Sequence, residues 1–116
     1  MVAYSEAMWA EAKKKCRLNN EDIALAKRLG LAEGTKLRST VLEYCYKDDA
    51  LGDPMVNEYH IAAIGAATPE ELRTIADYSF RVNQYLGEYL AEVGIQLIDF
   101  KLEFGRLPDG TIVLAD

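Results

Sequence analysis

The longest regular pattern of apolar positions lies between Thr68 and Gly94. It opens with Thr-Pro-Glu-Glu, which offers a hydroxyl N-cap, a proline at the first helical position and Glu71 at the third, completing a capping box. Apolar side chains then recur every three or four residues, at Leu72, Ile75, Ala76, Val82, Leu86, Tyr89, Leu90 and Val93. With Gly94 as a terminator, the pattern predicts an amphipathic helix of about 25 residues.

The period of the apolar positions changes after Gly94 from near 3.6 to 2. Alternation over residues 95 to 104 predicts a strand, and residues 108 to 110, Pro-Asp-Gly, predict a turn. A second apolar run over residues 111 to 115 predicts the return strand. The end of the chain is therefore expected to be a β-hairpin.

The first half of the chain carries weaker patterns. We expect a helix from Ser5 to about Asn19 and a second helix that ends near Gly30. The β-branched and aromatic residues 40 to 46 predict a strand, followed by a loop and a short helical segment over residues 57 to 64. Together these elements predict an α+β domain: N-terminal helices, one strand, a long helix and a C-terminal β-hairpin forming a small antiparallel sheet packed on helices.

The length, net charge and composition argue for some classes of protein and against others. The 116 residues suffice for one domain. A net charge of -6 argues against nucleic acid as a partner, because binding to backbone phosphates depends on an excess of Lys and Arg. No apolar run predicts a membrane span or a secretion signal, so we expect a cytoplasmic protein. Cys16 and Cys45 lack metal-ligand spacing and are expected to be buried thiols. For His60 we favour packing or capping over catalysis.

A charged row lies on one face of the predicted hairpin. Asp99, Lys101 and Glu103 alternate along its first strand, and antiparallel pairing can bring Asp116 near Glu103. A lysine there can neutralise phosphate oxygens, while a neighbouring carboxylate can hold a magnesium ion that bridges them. The same row is typical of the solvated face of a hairpin, where a lysine pairs with flanking acids. The pattern alone favours this second interpretation.

Four stretches in order resemble the SAICAR synthetase family (phosphoribosylaminoimidazole-succinocarboxamide synthases). They are Leu25 to Gly30, Tyr46 to Pro54, Asn57 to His60 and Ile98 to Gly105. The last fits the family's apolar-Asp-x-Lys-apolar-Glu-Phe-Gly strand, which precedes a hairpin that ends in a metal-binding Asp. The resemblance extends from about residue 25 to residue 116.

The family uses ATP to join aspartate to a carboxylated aminoimidazole ribotide in purine biosynthesis, by way of an acyl phosphate. The resemblance implies that Lys101 has the catalytic role of neutralising charge near the phosphates. It implies that Glu103 contacts the nucleotide and, with Asp116, binds Mg2+. Lys47 and Asp53 would lie in the loop beside the pocket, with Lys47 at the nucleotide and Asp53 at the substrate. A solvated loop charge is the alternative role of Lys47.

The resemblance is incomplete at both ends. We expect the family's preceding nucleotide-binding lobe and the C-terminal part that follows the hairpin to be absent, and the Arg and Ser that hold its ribotide to have no counterpart. We therefore expect a helical segment unlike the family over residues 1 to 24 and a central domain resembling it over residues 25 to 116. Such a chain would be a truncated or chimeric relative of the ligase, with much of the active site missing, inactive unless a complementing protein chain supplies the rest.

A different class of function stays open, and with it the question of whether the chain is an enzyme. A fragment of the ligase could act as a non-catalytic binding protein, such as an inhibitor, antitoxin or regulator of a macromolecular target. A homo-oligomer is also compatible with the sequence. ATP and Mg2+ are the cofactors that the family implies, and we expect the chain alone to hold ATP only weakly.

Overall fold

The structure is a computed structural model that describes residues 27–32 and 35–116. The chain forms two compact units, residues 1–40 and residues 41–116. In the first unit, residues 27 and 28 are helical, and the N–H of Gly30 donates to the carbonyl of Lys27 at 3.1 Å. Gly30 has a φ of 67°, as expected for a glycine after a helix. The predicted helix end is confirmed, whereas the earlier helical segments and Cys16 lie outside the described residues.

The second unit contains two antiparallel hairpins and two helices. In chain order its elements are β1 (Tyr44–Cys45), β2 (Met55–Val56), α1 (Glu58–Ile64), α2 (Pro69–Glu92), β3 (Phe104–Arg106) and β4 (Ile112–Leu114). β1 pairs with β2, and β3 pairs with β4. The predicted α+β class is confirmed. Among the described residues, no helix is both long and apolar enough to cross a membrane.

The first hairpin is shorter than the strand predicted over residues 40 to 46. The ladder joins Tyr44 to Val56 and Cys45 to Met55. Strand β2 was not predicted, because two residues are too few to show an alternating pattern. Tyr44 is half-buried and Cys45 is exposed, since successive strand residues point to opposite faces. The expectation of a buried thiol is therefore wrong for Cys45.

Helix α1 begins with a reciprocal cap between Asn57 and His60. The N–H of His60 donates to Asn57 Oδ1 at 3.0 Å, and the N–H of Asn57 donates to His60 Nδ1 at 3.1 Å. The capping role predicted for His60 is confirmed. The helix ends at Gly65, whose φ of 66° suits glycine, and its Ile61 is one of two buried side chains among the described residues.

Helix α2 forms as the sequence predicts. Thr68 Oγ1 accepts from the N–H of Glu71 at 3.2 Å, and Glu71 Oε2 accepts from the N–H of Thr68 at 2.8 Å. The helix runs for 24 residues and is followed by Gly94 with a φ of 75°. Its one buried residue, Ser79, donates its hydroxyl to the carbonyl of Ile75 at 2.8 Å.

The second hairpin pairs three residues on each side, with Gly105 opposite Val113 at its centre. The strand predicted over residues 95 to 104 is wrong in its bounds, because β3 begins only at Phe104. A strand needs a partner for its backbone groups, and the return segment pairs with residues 104 to 106 through β4 and with Glu103 through Ala115 and Asp116. The alternation of apolar and polar side chains correctly indicated a non-helical segment, but it could not show where the partner strand lies.

The hairpin of β3 and β4 packs on the first half of α2. Tyr78 stacks on Phe104 with ring centroids 6.4 Å apart. In the second half of α2, Tyr85 and Tyr89 are 68% and 57% exposed, and Val93, directly after the helix, is 66% exposed, whereas the neighbouring Val82, Leu86 and Leu90 are half-buried. We call Tyr85, Tyr89 and Val93 the uncovered side of α2, and they form an apolar surface of the second unit.

Candidate functional site

The loop between β1 and β2 is organised around Asp53. Its Oδ1 accepts from the N–H of Asp48 at 2.8 Å, while its own N–H donates to the Asp48 carbonyl at 3.1 Å. Asp53 has a φ of 49° and follows Gly52, whose φ is 73°. Asp tolerates the left-handed region because its short side chain can hydrogen-bond locally. The loop thereby fixes the direction of the Asp53 carboxylate.

Lys47 connects this loop to the segment before β3. Its ammonium lies 3.2 Å from Asp49 Oδ1 and 3.2 Å from Asp53 Oδ2. It also lies 3.9 Å from Glu103 Oε1, an ion-pair distance rather than a hydrogen bond. Lys101 contacts the same Glu103 oxygen at 2.7 Å. We call Lys47, Asp49, Asp53, Lys101 and Glu103 the ammonium–carboxylate cluster.

The cluster brings together four of the five residues that the sequence nominated: Lys47, Asp53, Lys101 and Glu103. Glu103 is the most enclosed, with 27% of its side chain exposed, whereas the Lys101 side chain is 72% exposed. The two ammonium groups, from segments more than fifty residues apart in the sequence, therefore meet at one carboxylate oxygen. The Lys47 and Lys101 side chains are 58% and 72% exposed, so an anion from solvent can approach both ammonium groups.

The cluster shifts the proton affinities of its members. Hydrogen bonds to Asp53 and then to Asp49 raise the pKa of Lys47. The hydrogen bond to Glu103 raises the pKa of Lys101. The N–H of Asp48, followed by the Lys47 ammonium, lowers the pKa of Asp53. Both lysines thus stay charged at neutral pH, as phosphate binding requires.

Asp116 lies beside Glu103 at the open end of the second hairpin. The N–H of Glu103 donates to the Asp116 carbonyl, and the Glu103 carbonyl accepts from the N–H of Ala115 at 2.8 Å and from that of Asp116 at 3.2 Å. The backbone pairing predicted for these two residues is therefore present. Whether their carboxylates share a metal ion stays a prediction.

The carboxylates of Glu103 and Asp116 are the candidate ligands for a nucleotide-bound magnesium ion. Within the ranges that the structure describes, no group of three or more His, Cys, Asp or Glu side chains could hold a metal. Mg2+ in nucleotide sites commonly takes one or two carboxylates and completes its octahedron with phosphate oxygens and water. Glu103 and Asp116 meet that requirement in number and type.

The roles of Asp48 and Asp49 in the site were not predicted from the sequence. Asp48 and Asp49 were assigned only to a loop, yet Asp48 orients Asp53 and Asp49 pairs with Lys47. The pair Gly52-Asp53 carried a signal, because Gly followed by Asp before proline is typical of a tight turn that a side chain closes.

A family model for SAICAR synthetase matches residues 7–116. The chain belongs to the SAICAR synthetase family. Its phosphoribosylaminoimidazole-succinocarboxamide synthase relative from Clostridium botulinum (strain Eklund 17B / Type B) is 60% identical over 93 residues, and that from Sphingopyxis alaskensis is 55% identical over 95 residues. These matches span 80% and 79% of this chain but 40% and 37% of the relatives.

Solved structures of the family share the fold. A type-2 SAICAR synthetase in complex with ADP superposes with a TM-score of 0.71 at 47% identity, and the enzyme from Ehrlichia chaffeensis superposes with a TM-score of 0.72 at 43% identity. Each comparison covers 80% of this chain and 40% of the other. The chain therefore spans about 40% of the length of its family relatives.

Proposed function

We propose that this chain supplies one wall of the nucleotide and magnesium site of a SAICAR synthetase. The observation that carries the proposal is the convergence of Lys47 and Lys101 on one oxygen of Glu103. Two ammonium groups at one point suit the oxygens of a polyphosphate, and a carboxylate between them suits its metal ion. The type-2 relative in complex with ADP supports a nucleotide as the ligand.

Each residue of the cluster has a distinct role in this proposal. Lys101 and Lys47 exchange carboxylate partners for phosphate oxygens and offset the charge that develops there. Glu103 and Asp116 would hold Mg2+, which would supply positive charge at the phosphate oxygens. Asp53, fixed by the N–H of Asp48, holds Lys47 in place and presents its carboxylate at the substrate side of the pocket.

The reaction proposed is that of the relatives: ATP-dependent joining of aspartate to carboxyaminoimidazole ribotide in cytoplasmic purine biosynthesis. A nucleotide site needs a cleft with two walls. The remaining length of the family fold would supply the second wall, either in the same polypeptide or as a complementing chain. Tyr85, Tyr89 and Val93 on the uncovered side of α2 support such a partner surface, and without it we propose that the 116 residues are inactive.

The second candidate is a non-catalytic binding protein that uses the same fold to contact a macromolecule. The uncovered side of α2 is the observation that favours it, because exposed apolar surface of this kind marks interaction sites. The two candidate functions differ in whether they need the Glu103 carboxylate. A ligand wall requires its carboxylate, whereas contact through α2 does not.

Isothermal titration with Mg-ADP tests the proposal. We expect saturable heat at millimolar nucleotide from the native chain and its loss in Glu103→Ala. Ile64→Ala, a substitution at a 58% exposed side chain of α1, is the control and should bind as the native chain does. No heat from a chain that melts cooperatively would overturn the nucleotide wall, and unchanged binding by Glu103→Ala would place any nucleotide elsewhere.

A further inference from the structure

Arg106, whose side chain is 47% exposed, joins the second hairpin to the start of helix α2 through an ion pair with Glu71. Its Nε lies 2.6 Å from Glu71 Oε1 and its Nη2 lies 2.6 Å from Glu71 Oε2. The same Nη2 donates to the carbonyl of Ala66 at 3.2 Å. The Glu71 side chain is only 16% exposed. Two parallel N–H···O bonds fix angle as well as distance, which a single contact does not.

Glu71 is itself held in place by the cap of α2. Its Oε2 also accepts from the N–H of Thr68 at 2.8 Å, so three donors share one carboxylate. The Glu71 carboxylate that Arg106 binds is therefore itself held by a backbone N–H at the start of α2. Hydrogen bonding to Arg106 and then to Thr68 lowers the pKa of Glu71, and the pair stays charged over the neutral range.

A second contact completes the alignment of the hairpin with the helix. Tyr78, two turns along α2 from Glu71, stacks on Phe104, which lies two residues before Arg106 on β3. Two contacts on one strand and one helix fix both the position and the direction of the strand. Glu103 precedes Phe104 directly, so the same alignment determines where Glu103 and its backbone partner Asp116 lie.

We propose that Arg106 and Glu71 are positioning residues for the Glu103 and Asp116 end of the hairpin. This inference rests on the proposed function, because it assigns the pair a role in holding the nucleotide and metal wall. Neither residue touches the ligand in this account. They act by holding β3 at one register on α2, so that Glu103 reaches Lys47 and Lys101 together.

Amide hydrogen exchange tests the positioning role in the chain as it exists. The reporters are the N–H groups of Glu103 and Ala115, which bond across the open end of the hairpin. In Arg106→Met, both should exchange about tenfold faster relative to the N–H of Tyr46, which bonds to Pro54 in the other hairpin. Arg106→Lys should recover part of the protection, since its charge still reaches Glu71.

Two further variants keep the experiment decisive. Arg73→Met is the matched control, because Arg73 pairs with Glu70 at 2.9 Å in the same first turn but does not touch the hairpin. It should leave the Glu103 and Ala115 rates within about twofold of native. If Arg106→Met fails to fold, Glu71→Gln replaces it, since glutamine preserves the capping box while losing the ion pair.

The exchange rates test the positioning role of Arg106 and Glu71 independently of nucleotide binding. Uniform acceleration at every amide, equal effects of Arg106→Met and Arg73→Met, or no recovery by Arg106→Lys would overturn the positioning role. Mg-ADP titration of the same variants adds the functional readout: Arg106→Met should bind about tenfold more weakly than Arg73→Met. A native chain that does not bind Mg-ADP refutes the proposed function, while the exchange rates still decide the positioning role.

Discussion

The ammonium of Lys101 lies 2.7 Å from the carboxylate of Glu103, so two residues that we assign to a phosphate and metal site are paired with each other. A ligand must therefore compete with an internal ion pair. Exposed ion pairs contribute little, because water and salt screen them. The Lys101 side chain is 72% exposed, so its exchange from carboxylate to phosphate costs little.

Lys101→Ala should weaken Mg-ADP binding by at least about tenfold, because a charge-assisted hydrogen bond to phosphate is lost. Lys101→Arg keeps the charge and should retain most of the affinity. Arg81→Ala, which removes one positive charge next to Asp77 on α2, is the control for net charge. Titration calorimetry measures all three variants. Equal losses in Lys101→Ala and Arg81→Ala would refute a specific role for Lys101.

Asp53 should make the stability of the chain depend on pH in the acid range. The N–H of Asp48 and then Lys47 lower its pKa in the folded state. A carboxyl group with a depressed pKa adds stability above its unfolded value of about 4, and that contribution is lost as pH falls through the lower, folded value. We therefore expect the free energy of unfolding to decrease as pH falls below about 4.

Asp53→Asn isolates this contribution. Asparagine keeps an oxygen for the N–H of Asp48 but cannot be ionised. Glu70, Glu71 and Asp109 also have lowered pKa values, so the native chain and the variant should both lose stability in acid, the variant less. Urea unfolding at a series of pH values measures the difference. Identical pH dependence in the two proteins would contradict the assignment.

Ile61→Ala should destabilise the chain by about 2 to 4 kcal/mol, since it removes a buried side chain and leaves a cavity. Ile61 is 6% exposed. Ile64→Ala makes the same change at a 58% exposed position one turn further along α1 and should cost less than about 0.5 kcal/mol. Urea unfolding compares the two. Similar losses would show that Ile61 is not the packing centre of this unit.

Thr68→Ala should cost about 1 kcal/mol of unfolding free energy, because the N–H of Glu71 loses its acceptor at the start of α2. Thr68→Ser retains a hydroxyl and should stay within a few tenths of a kcal/mol of the native chain. Thermal and urea unfolding both measure the effect. A Thr68→Ala variant as stable as Thr68→Ser would show that the cap contributes nothing.

The sequence predicts those parts of the fold that local chemistry determines. The cap at Thr68, the helix that follows it and the turn before Thr111 all depend on residues within a few positions of each other. The lengths of the strands could not be predicted, because pairing partners are distant in the sequence. Strand β2 and the true start of β3 were both missed for this reason.

In the candidate site, too, the sequence reveals what nearby residues determine and does not reveal contacts between distant segments. Alternation placed Lys101 beside Glu103, and the family resemblance nominated Lys47 and Asp53. No local pattern could show that Lys47 reaches Glu103, since that contact depends on how two separate hairpins lie in the second unit. The pairing of Arg106 with Glu71 was invisible for the same reason, although Glu71 was correctly identified as a capping residue.

An NMR titration of the native chain with ADP and Mg2+, followed through the backbone amides, tests the nucleotide wall most directly. We expect saturable shifts that are largest at Lys47, Asp53, Lys101 and Glu103 and that weaken when Mg2+ is left out. Shifts confined to the uncovered side of α2, or none at millimolar nucleotide, would contradict the claim that these residues form a nucleotide wall.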